Sequence, residues 1–274
     1  MVLSALSASS GLSRRDRLAH RRRLYTGWVG RTLKTEAVVL RSMRLGEADR
    51  VLHLYALERG RIGAVAKGIR KTKSRFGARL EPLSHVEVLL HEGNSDLLTI
   101  TGVELLRSHR AVREQPYLLG IGLIGAEAML RLFGEQETNP RAFNGLTHFL
   151  DLLDETEVRA PASPALDPLA LSYQLKLLWL AGYLPHLGSC AECGAGGPFV
   201  GYSPKSGGVV CQACASGAFA LSRAGVSGLE SLLRRPLADA REVALSERAA
   251  RECLAVVTSS YEYHGGFRLK TLSA

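Results

Sequence analysis

Residues 46–66 read GEADRVLHLYALERGRIGAVA, and they carry the clearest structural signal in the chain. Turn-forming residues at 46–49 lead into the apolar run 51–57, and a second tight turn at Arg59-Gly60 leads into the apolar run 62–66. Two apolar runs joined by a short glycine-containing turn are typical of a β-hairpin. We therefore predict two adjacent antiparallel strands here.

The sequence on either side of this hairpin adds three more strands. An apolar, β-branched stretch at 35–41 precedes it, and the runs 86–90 and 97–103 form a further hairpin across GNSD at 93–96. Five short strands in about 75 residues, with glycines where a sheet must bend, indicate a small closed barrel. Periodicity alone leaves both an OB-fold and an SH3-like barrel open for residues 32–109.

From residue 116 onward the apolar residues recur about every 3.6 positions, which is the helical period. Asn139, Ser222 and Ser246 are placed as helix N-caps, and Pro140 suits a first helical turn. The predicted helices cover 117–133, 140–153, 169–183, 222–235 and 246–263. The predicted fold class is α+β multidomain, with a C-terminal α-helical bundle over 110–187 and 217–274.

Four of the five cysteines form two CxxC pairs, Cys190 with Cys193 and Cys211 with Cys214, and 17 residues separate the pairs. Zinc prefers four soft donors in a tetrahedron, and this spacing lies within the range of zinc ribbons. We predict one structural Zn²⁺ in an inserted zinc-ribbon-like module over 188–216. Paired disulfides, a redox-active CxxC and iron are the alternatives. Cys253 lies alone on an apolar helix face and is expected to be buried.

The positive charge is concentrated near the amino end. The formal net charge is +9, and residues 1–31 carry seven arginines against one aspartate. Residues 32–108 carry 13 basic and nine acidic groups, whereas residues 109–274 are slightly acidic. This segregation indicates that the front of the chain binds a polyanion. We predict that 1–31 is a disordered basic tail; an over-long start, a DNA-touching arm and a transit peptide are its three interpretations.

The segment 59–79 reads RGRIGAVAKGIRKTKSRFGAR and holds eight basic residues and no acidic one. A loop with this many like charges repels itself, and a phosphate backbone would relieve that repulsion and release counterions. Phe76 is expected to offer a stacking face for a base. A solvated basic loop without a ligand is the alternative.

Other classes of protein are disfavoured by what the sequence lacks. No apolar run reaches the ~18 residues of a membrane span, and the first 31 residues contain no apolar core of a secretory signal. A reducing cytosol is therefore expected. The chain has no GxxxxGK[ST], HExxH or GxSxG motif, so we predict that it is not an enzyme and has no catalytic residues.

Three stretches together resemble the bacterial RecO family of recombination and repair proteins. The first is LGEADRVL at 45–52, followed by ERG at 58–60 and AKGIRK at 66–71. The second is LKLLWLAGYLP at 175–185, leading into CAECG at 190–194, and the third is GFRLKTLS at 266–273. Each stretch is weak by itself, but their order along the chain is specific.

The resemblance implies an N-terminal OB-fold, a helical domain and a zinc module held by the four paired cysteines. It implies a cytoplasmic, nucleoid-associated protein that binds single- and double-stranded DNA and anneals complementary strands. With RecR it would load RecA onto strands coated by single-strand binding protein (SSB), whose tail binds the helical domain. The DNA-contacting residues carried over are Arg41, Arg44, Arg61, Lys67, Arg70, Lys71, Lys73, Arg75 and Arg79.

Two rival functions remain open at this stage. A metal-dependent nuclease or nucleotide-modifying enzyme would need clustered carboxylates near the basic surface, and residues 59–79 contain none. An RNA-binding or regulatory zinc protein without annealing activity would share both the basic loop and the cysteines. Competition between DNA and RNA of the same sequence separates that rival from a DNA repair protein.

Overall fold

The computed structural model describes residues 32–157 and 163–272. The predicted basic tail at 1–31 lies outside the described residues. Within the two described ranges, no helix combines the length and the apolar character that a bilayer crossing requires.

The amino-terminal half of the described chain is a five-stranded barrel. Its strands are β1 (Thr32–Leu45), β2 (Asp49–Ala56), β3 (Gly60–Ala66), β4 (His85–His91) and β5 (Leu98–Arg107). Their order is β1-β2-β3-β5-β4, with β4 returning to β1. The β3–β5 seam is parallel and only two residue pairs long, Ala64 with Leu98 and Val65 with Thr99. This strand order is that of an OB-fold, which the family resemblance implies.

Strand alternation divides the barrel between two apolar cores. Leu52, Leu54 and Ala56 of β2 point inward and fill the barrel. The outward-facing Val38, Leu40 and Tyr55 belong instead to the core of the helical half. A β-bulge between Val39 and Arg41 lets the long strand β1 pair with both β4 and β2. The barrel and the helices are therefore fused through one apolar interface.

The helical half contains six α-helices within the described residues. They are α1 (Arg110–Glu114), α2 (Pro116–Leu132), α3 (Pro140–Asp154), α4 (Pro168–Leu180), α5 (Arg223–Arg234) and α6 (Glu247–Ser260). Asn139, Ser222 and Ser246 cap α3, α5 and α6 by accepting from a backbone N–H three residues on, as predicted. The short helix α1 was not predicted, because five residues are too few to show a period. Helix α4 ends three residues before its predicted end, at a turn where Gly182 has φ +83°.

Backbone contacts also join the two halves. The Gln136 N–H donates to the Arg61 carbonyl at 3.0 Å, beside the part of β3 that β5 leaves unpaired. Gly60 has φ +62°, and a Cβ there would lie 2.0 Å from the Glu137 carbonyl oxygen, so only glycine fits. On the other side, the buried His109 donates through Nδ1 to the Leu83 carbonyl at 2.7 Å, and its Nε2 lies 3.0 Å from Asp151 of α3.

A small sheet carries the cysteine region and packs on the helices. Its strands are β6 (Phe199–Ser203), β7 (Gly208–Cys211) and β8 (Phe219–Ala220), in the order β7-β6-β8. Tyr202 and Val209 are fully buried in the helical core, and the Tyr202 hydroxyl lies 3.1 Å from the Ser260 hydroxyl at the end of α6. The sheet is thus an extension of the helical half.

Lys176 lies on α4, and its ammonium group binds carbonyls at the carboxyl end of α5. Its Nζ donates to the carbonyls of Leu232, Leu233 and Arg235 at 3.3, 3.2 and 2.9 Å. These are carbonyls that a helix end leaves without an intrahelical partner. Partial burial lowers the pKa of Lys176.

We expect Lys176→Met to lower the free energy of unfolding by about 1–3 kcal/mol, because the Leu233 and Arg235 carbonyls lose this donor. The Leu232 carbonyl keeps the Ser172 hydroxyl, which donates to it at 2.9 Å. Urea denaturation measures the change. Arg234→Met, at an exposed cation on the same end of α5, is the control and should cost less than about 0.5 kcal/mol. Equal losses in the two variants would show that Lys176 does not stabilise the end of α5.

Candidate nucleic-acid interface and metal centre

Residues 67–79, here called the basic loop, are fixed to the barrel by their apolar side chains. Ile69 and Phe76, and Leu80 just beyond the loop, belong to the barrel core. A single turn of 3₁₀ helix at Gly77–Leu80 ends the loop. Apolar residues thus occur between the cations of the loop. The apolar side chains pack into the barrel core, and most of the charged ones are exposed to solvent.

Phe76 does not offer a stacking face, so the prediction for this residue is wrong. Its side chain is only 1% exposed and packs inside the barrel. The guanidinium carbon of Arg75 lies 4.8 Å from its ring centroid, so a cation covers this aromatic group. The buried position of the Phe76 ring has the lower free energy, because burial removes a large apolar surface from water.

Six of the nine predicted DNA contacts are exposed cations at the barrel. In the described part of the chain they make no ion pair. They are Arg41, Arg44, Lys67, Lys71, Lys73 and Arg75. Arg44 lies opposite Arg50 on β2, and Arg50 lies opposite Ala66 on β3, so Arg44 and Lys67 share one end of the barrel. The candidate interface thus combines a strand and the basic loop.

The structure gives the other three predicted contacts intramolecular partners. Arg61 donates to the Leu130 carbonyl at 2.5 Å and lies 3.7 Å from Glu135, so its guanidinium faces the helical half. Arg79 donates from its three guanidinium nitrogens to three carbonyls of the loop and β5, those of Phe76, Arg75 and Val103. Arg70 donates to carbonyls of the turn between β1 and β2. Arg61 is therefore separated from the exposed group.

The local field at the strand surface is positive. His53 lies opposite Arg41 in the β1–β2 pairing. Burial lowers the pKa of His53, and the charges of Arg41 and Arg61 lower it further. This imidazole therefore stays neutral at pH 7, and the surface charge comes from arginine and lysine.

The four paired cysteines converge on one point. Their sulfur atoms all lie within 4.8 Å of one another, and the sulfurs of Cys193 and Cys211 are 3.8 Å apart. A tetrahedral zinc site with bonds of ~2.3 Å has sulfur–sulfur edges of about 3.8 Å. The donor set and its spacing therefore fit a metal ion bound by four thiolates.

Backbone hydrogen bonds hold the two CxxC pairs side by side. The Gly194 N–H donates to the Cys190 carbonyl at 2.8 Å, closing the first turn, and Gly194 has φ +75°. The Ala191 N–H donates to the Val209 carbonyl at 2.8 Å and so joins the first pair to β7. The Cys211 N–H lies 3.5 Å from the Cys190 sulfur. This arrangement brings the second pair to the first.

The charges of the four cysteine thiolates favour binding of a cation. Donation from the Cys193 and Cys211 N–H groups lowers the pKa of Cys190 to about 6. Hydrogen bonding to Cys193, with burial and the other two thiols, raises the pKa of Cys214 to about 12. Four thiolates so close together repel one another unless a metal ion neutralises them. Cys253, by contrast, is fully buried, as predicted, and burial raises its pKa to about 12.

Asp49 has a role that its position in the sequence did not predict. Its Oδ1 accepts from the Gly68 N–H at 2.7 Å, at the start of the basic loop. The signal was the turn chemistry of 46–49, which predicted a reversal of the chain and gave no information on which segment lies against it.

Comparison with known proteins gives one consistent result. The family model described as "Recombination protein O N terminal" matches residues 31–109, and "Recombination protein O C terminal" matches residues 113–273. Similar proteins named DNA repair protein RecO occur in Rubrobacter xylanophilus, 39% identical over 80% of this chain and 87% of the relative, and in Thermobifida fusca, 37% identical over 84% and 93%. A third in Cutibacterium acnes is 38% identical over 67% of this chain and 74% of the relative.

Proposed function

Because the chain belongs to the recombination protein O (RecO) family of DNA repair proteins, we propose that it binds single- and double-stranded DNA and anneals complementary strands. The observation that carries this proposal is the group of exposed cations on the basic loop and β1. They lie on the five-stranded barrel and, among the described residues, have no carboxylate bound to them.

Annealing follows from charge neutralisation. Two strands repel through their phosphates, and a protein that contacts both backbones lowers that repulsion and releases condensed counterions. Phosphate contacts carry no sequence information, so the bases remain free to pair. Buried Phe76 supports this mechanism, because the loop then holds strands by charge without stacking on their bases.

The resemblance extends the proposal to partners and place of action. The protein would work in the bacterial cytoplasm at the nucleoid, bind the SSB tail, and with RecR help to load RecA onto SSB-coated strands. Such a mediator transfers no chemical group, so the proposal assigns no catalytic residue.

We further propose that Cys190, Cys193, Cys211 and Cys214 bind one structural zinc ion. The sulfur spacing and the donor set support this proposal. Four protein thiolates leave no open coordination position, so the ion would brace the small sheet without activating water.

The annealing assay tests the proposal directly. We expect the protein to accelerate pairing of complementary fluorescently labelled strands, to retain this activity on SSB-coated strands, and to promote RecA loading only when RecR is added. DNA and RNA strands of the same sequence are compared in parallel. Failure to anneal, together with tighter binding to RNA, would contradict the proposal and favour the regulatory zinc protein.

A further inference from the structure

The turn 46–48 between β1 and β2, with Asp49 at the start of β2, brings two acidic residues to the start of the basic loop. Glu47 and Asp49 oppose the binding of a polyanion by simple electrostatics. Each carboxylate at such a surface weakens phosphate binding through its charge, so its presence there suggests a second role. The contacts of this turn show what that role is.

Four acceptors at this turn bind the start of the basic loop. The Asp49 carboxylate accepts from the Gly68 N–H at 2.7 Å. The Ala48 carbonyl accepts from the Arg70 N–H at 3.0 Å. The Glu47 carbonyl accepts from Nη1 of Arg70 at 2.8 Å, with the Gly46 carbonyl at 3.4 Å from the same nitrogen.

These bonds act where the loop leaves the sheet. Strand β3 ends at Ala66, and Gly68 follows with φ +69°, a conformation that disfavours other residues. The Lys71 N–H donates to the Gly68 carbonyl at 3.1 Å and so closes a compact turn over residues 68–71. The first residue of this turn, Gly68, is the one that the Asp49 carboxylate binds. Lys67 precedes this turn and Lys71 closes it, and both side chains are exposed.

We propose that Asp49 and Arg70 are positioning residues of the DNA-binding surface, which orient Lys67 and Lys71 toward the phosphates. Arg70 serves chiefly through the carbonyls of the turn, whereas its neighbours contact the ligand. This inference rests on the proposed function, since it concerns how the same surface binds DNA.

Removing each carboxylate of the turn separates positioning from simple electrostatics. Asp49→Ala removes a negative charge and also the acceptor for Gly68, so we expect single-strand affinity to fall at least about fivefold. Glu47→Ala removes a negative charge but keeps every backbone contact of the turn, so affinity should stay equal or rise. Asp49→Asn keeps an acceptor oxygen without the charge and should restore binding.

Arg70 is tested by a substitution that keeps its charge. Arg70→Lys should weaken binding severalfold, because an ammonium cannot reproduce the guanidinium contacts with the turn. The salt dependence should keep its slope, since the phosphate contacts of the other cations remain. If Arg70 were mainly a phosphate contact, Arg70→Lys would bind like the wild type, and Arg70→Ala would lower the slope by ~0.7.

A measurement without DNA keeps this inference distinct from the proposed function. Trypsin should cut the loop after Lys67, Lys71 or Lys73 several times faster in Asp49→Ala than in Glu47→Ala. If the wild type binds a labelled oligonucleotide but Asp49→Ala binds as tightly as Glu47→Ala, the inference is overturned and the proposed function stands. If the wild type ignores the oligonucleotide, the proposed function fails, and equal trypsin rates would then overturn the ordering role of the turn as well.

Discussion

Removal of the proposed zinc ion should unfold the small sheet and destabilise the whole helical half. Zinc analysis of freshly reduced protein should give about one ion per chain, and Cys190→Ser should abolish it. We expect this variant to lose about 3–5 kcal/mol of unfolding free energy, because loss of a structural metal is among the largest single-site effects. The reason lies in the core, since Tyr202 and Val209 pack among the helices.

The control for this experiment is Cys253→Ala, which removes the one cysteine outside the cluster. It should keep the zinc and cost only about 1–2 kcal/mol, the effect of a small cavity. Metal content is measured by mass spectrometry and stability by denaturation. A freshly reduced, unchelated wild-type sample without zinc would overturn the metal assignment, and iron in its place would correct the identity of the ion.

Reversing three charges of the basic loop should have the largest effect on DNA binding. In the variant with Lys71, Lys73 and Arg75 all changed to Glu, we expect single-strand affinity to fall by more than about 100-fold at moderate salt. The plot of log affinity against log salt should become shallower by about 2, because each lost phosphate contact removes ~0.7 from the slope. Fluorescence anisotropy over a salt series measures both quantities.

A matched control changes the same net charge elsewhere. Arg141, Arg223 and Arg234 are exposed on the helices, and their reversal to Glu alters the overall charge equally. This variant should bind within a few-fold of the wild type and keep its slope. Equal losses in the two triple variants would show that overall charge governs binding and that the basic loop is no specific contact.

Local patterns in the sequence predicted most of the fold. The strand pattern around 46–66 and the capping residues Asn139, Ser222 and Ser246 act through neighbours close in the chain, and the structure confirms them. The CxxC spacing predicted the meeting of the four sulfurs for the same reason. The OB topology came from the family resemblance, because alternation alone cannot order strands in a sheet.

What the sequence could not show depends on contacts between distant segments. Phe76 is as apolar as a stacking residue must be, and only the packed barrel reveals that its ring lies inside. Arg61 has the charge of a DNA contact, yet residues 130 and 135 provide its partners. Asp49 reads as a turn residue until Gly68 is seen against it. Composition gives the charge of a surface, and tertiary structure decides which charges are free.

The outward-facing residues Val38, Leu40 and Tyr55 fix the orientation of the barrel relative to the helices. Because these side chains are part of the helical core, the barrel is not joined to the helices by a flexible linker. A ligand bound at the barrel would therefore lie at a fixed angle to the helical half. If the proposed function holds, a protein bound to the helices would also set the orientation of the DNA bound to the barrel. A fragment that ends at residue 109 would lose this fixed orientation and would expose an apolar surface to water.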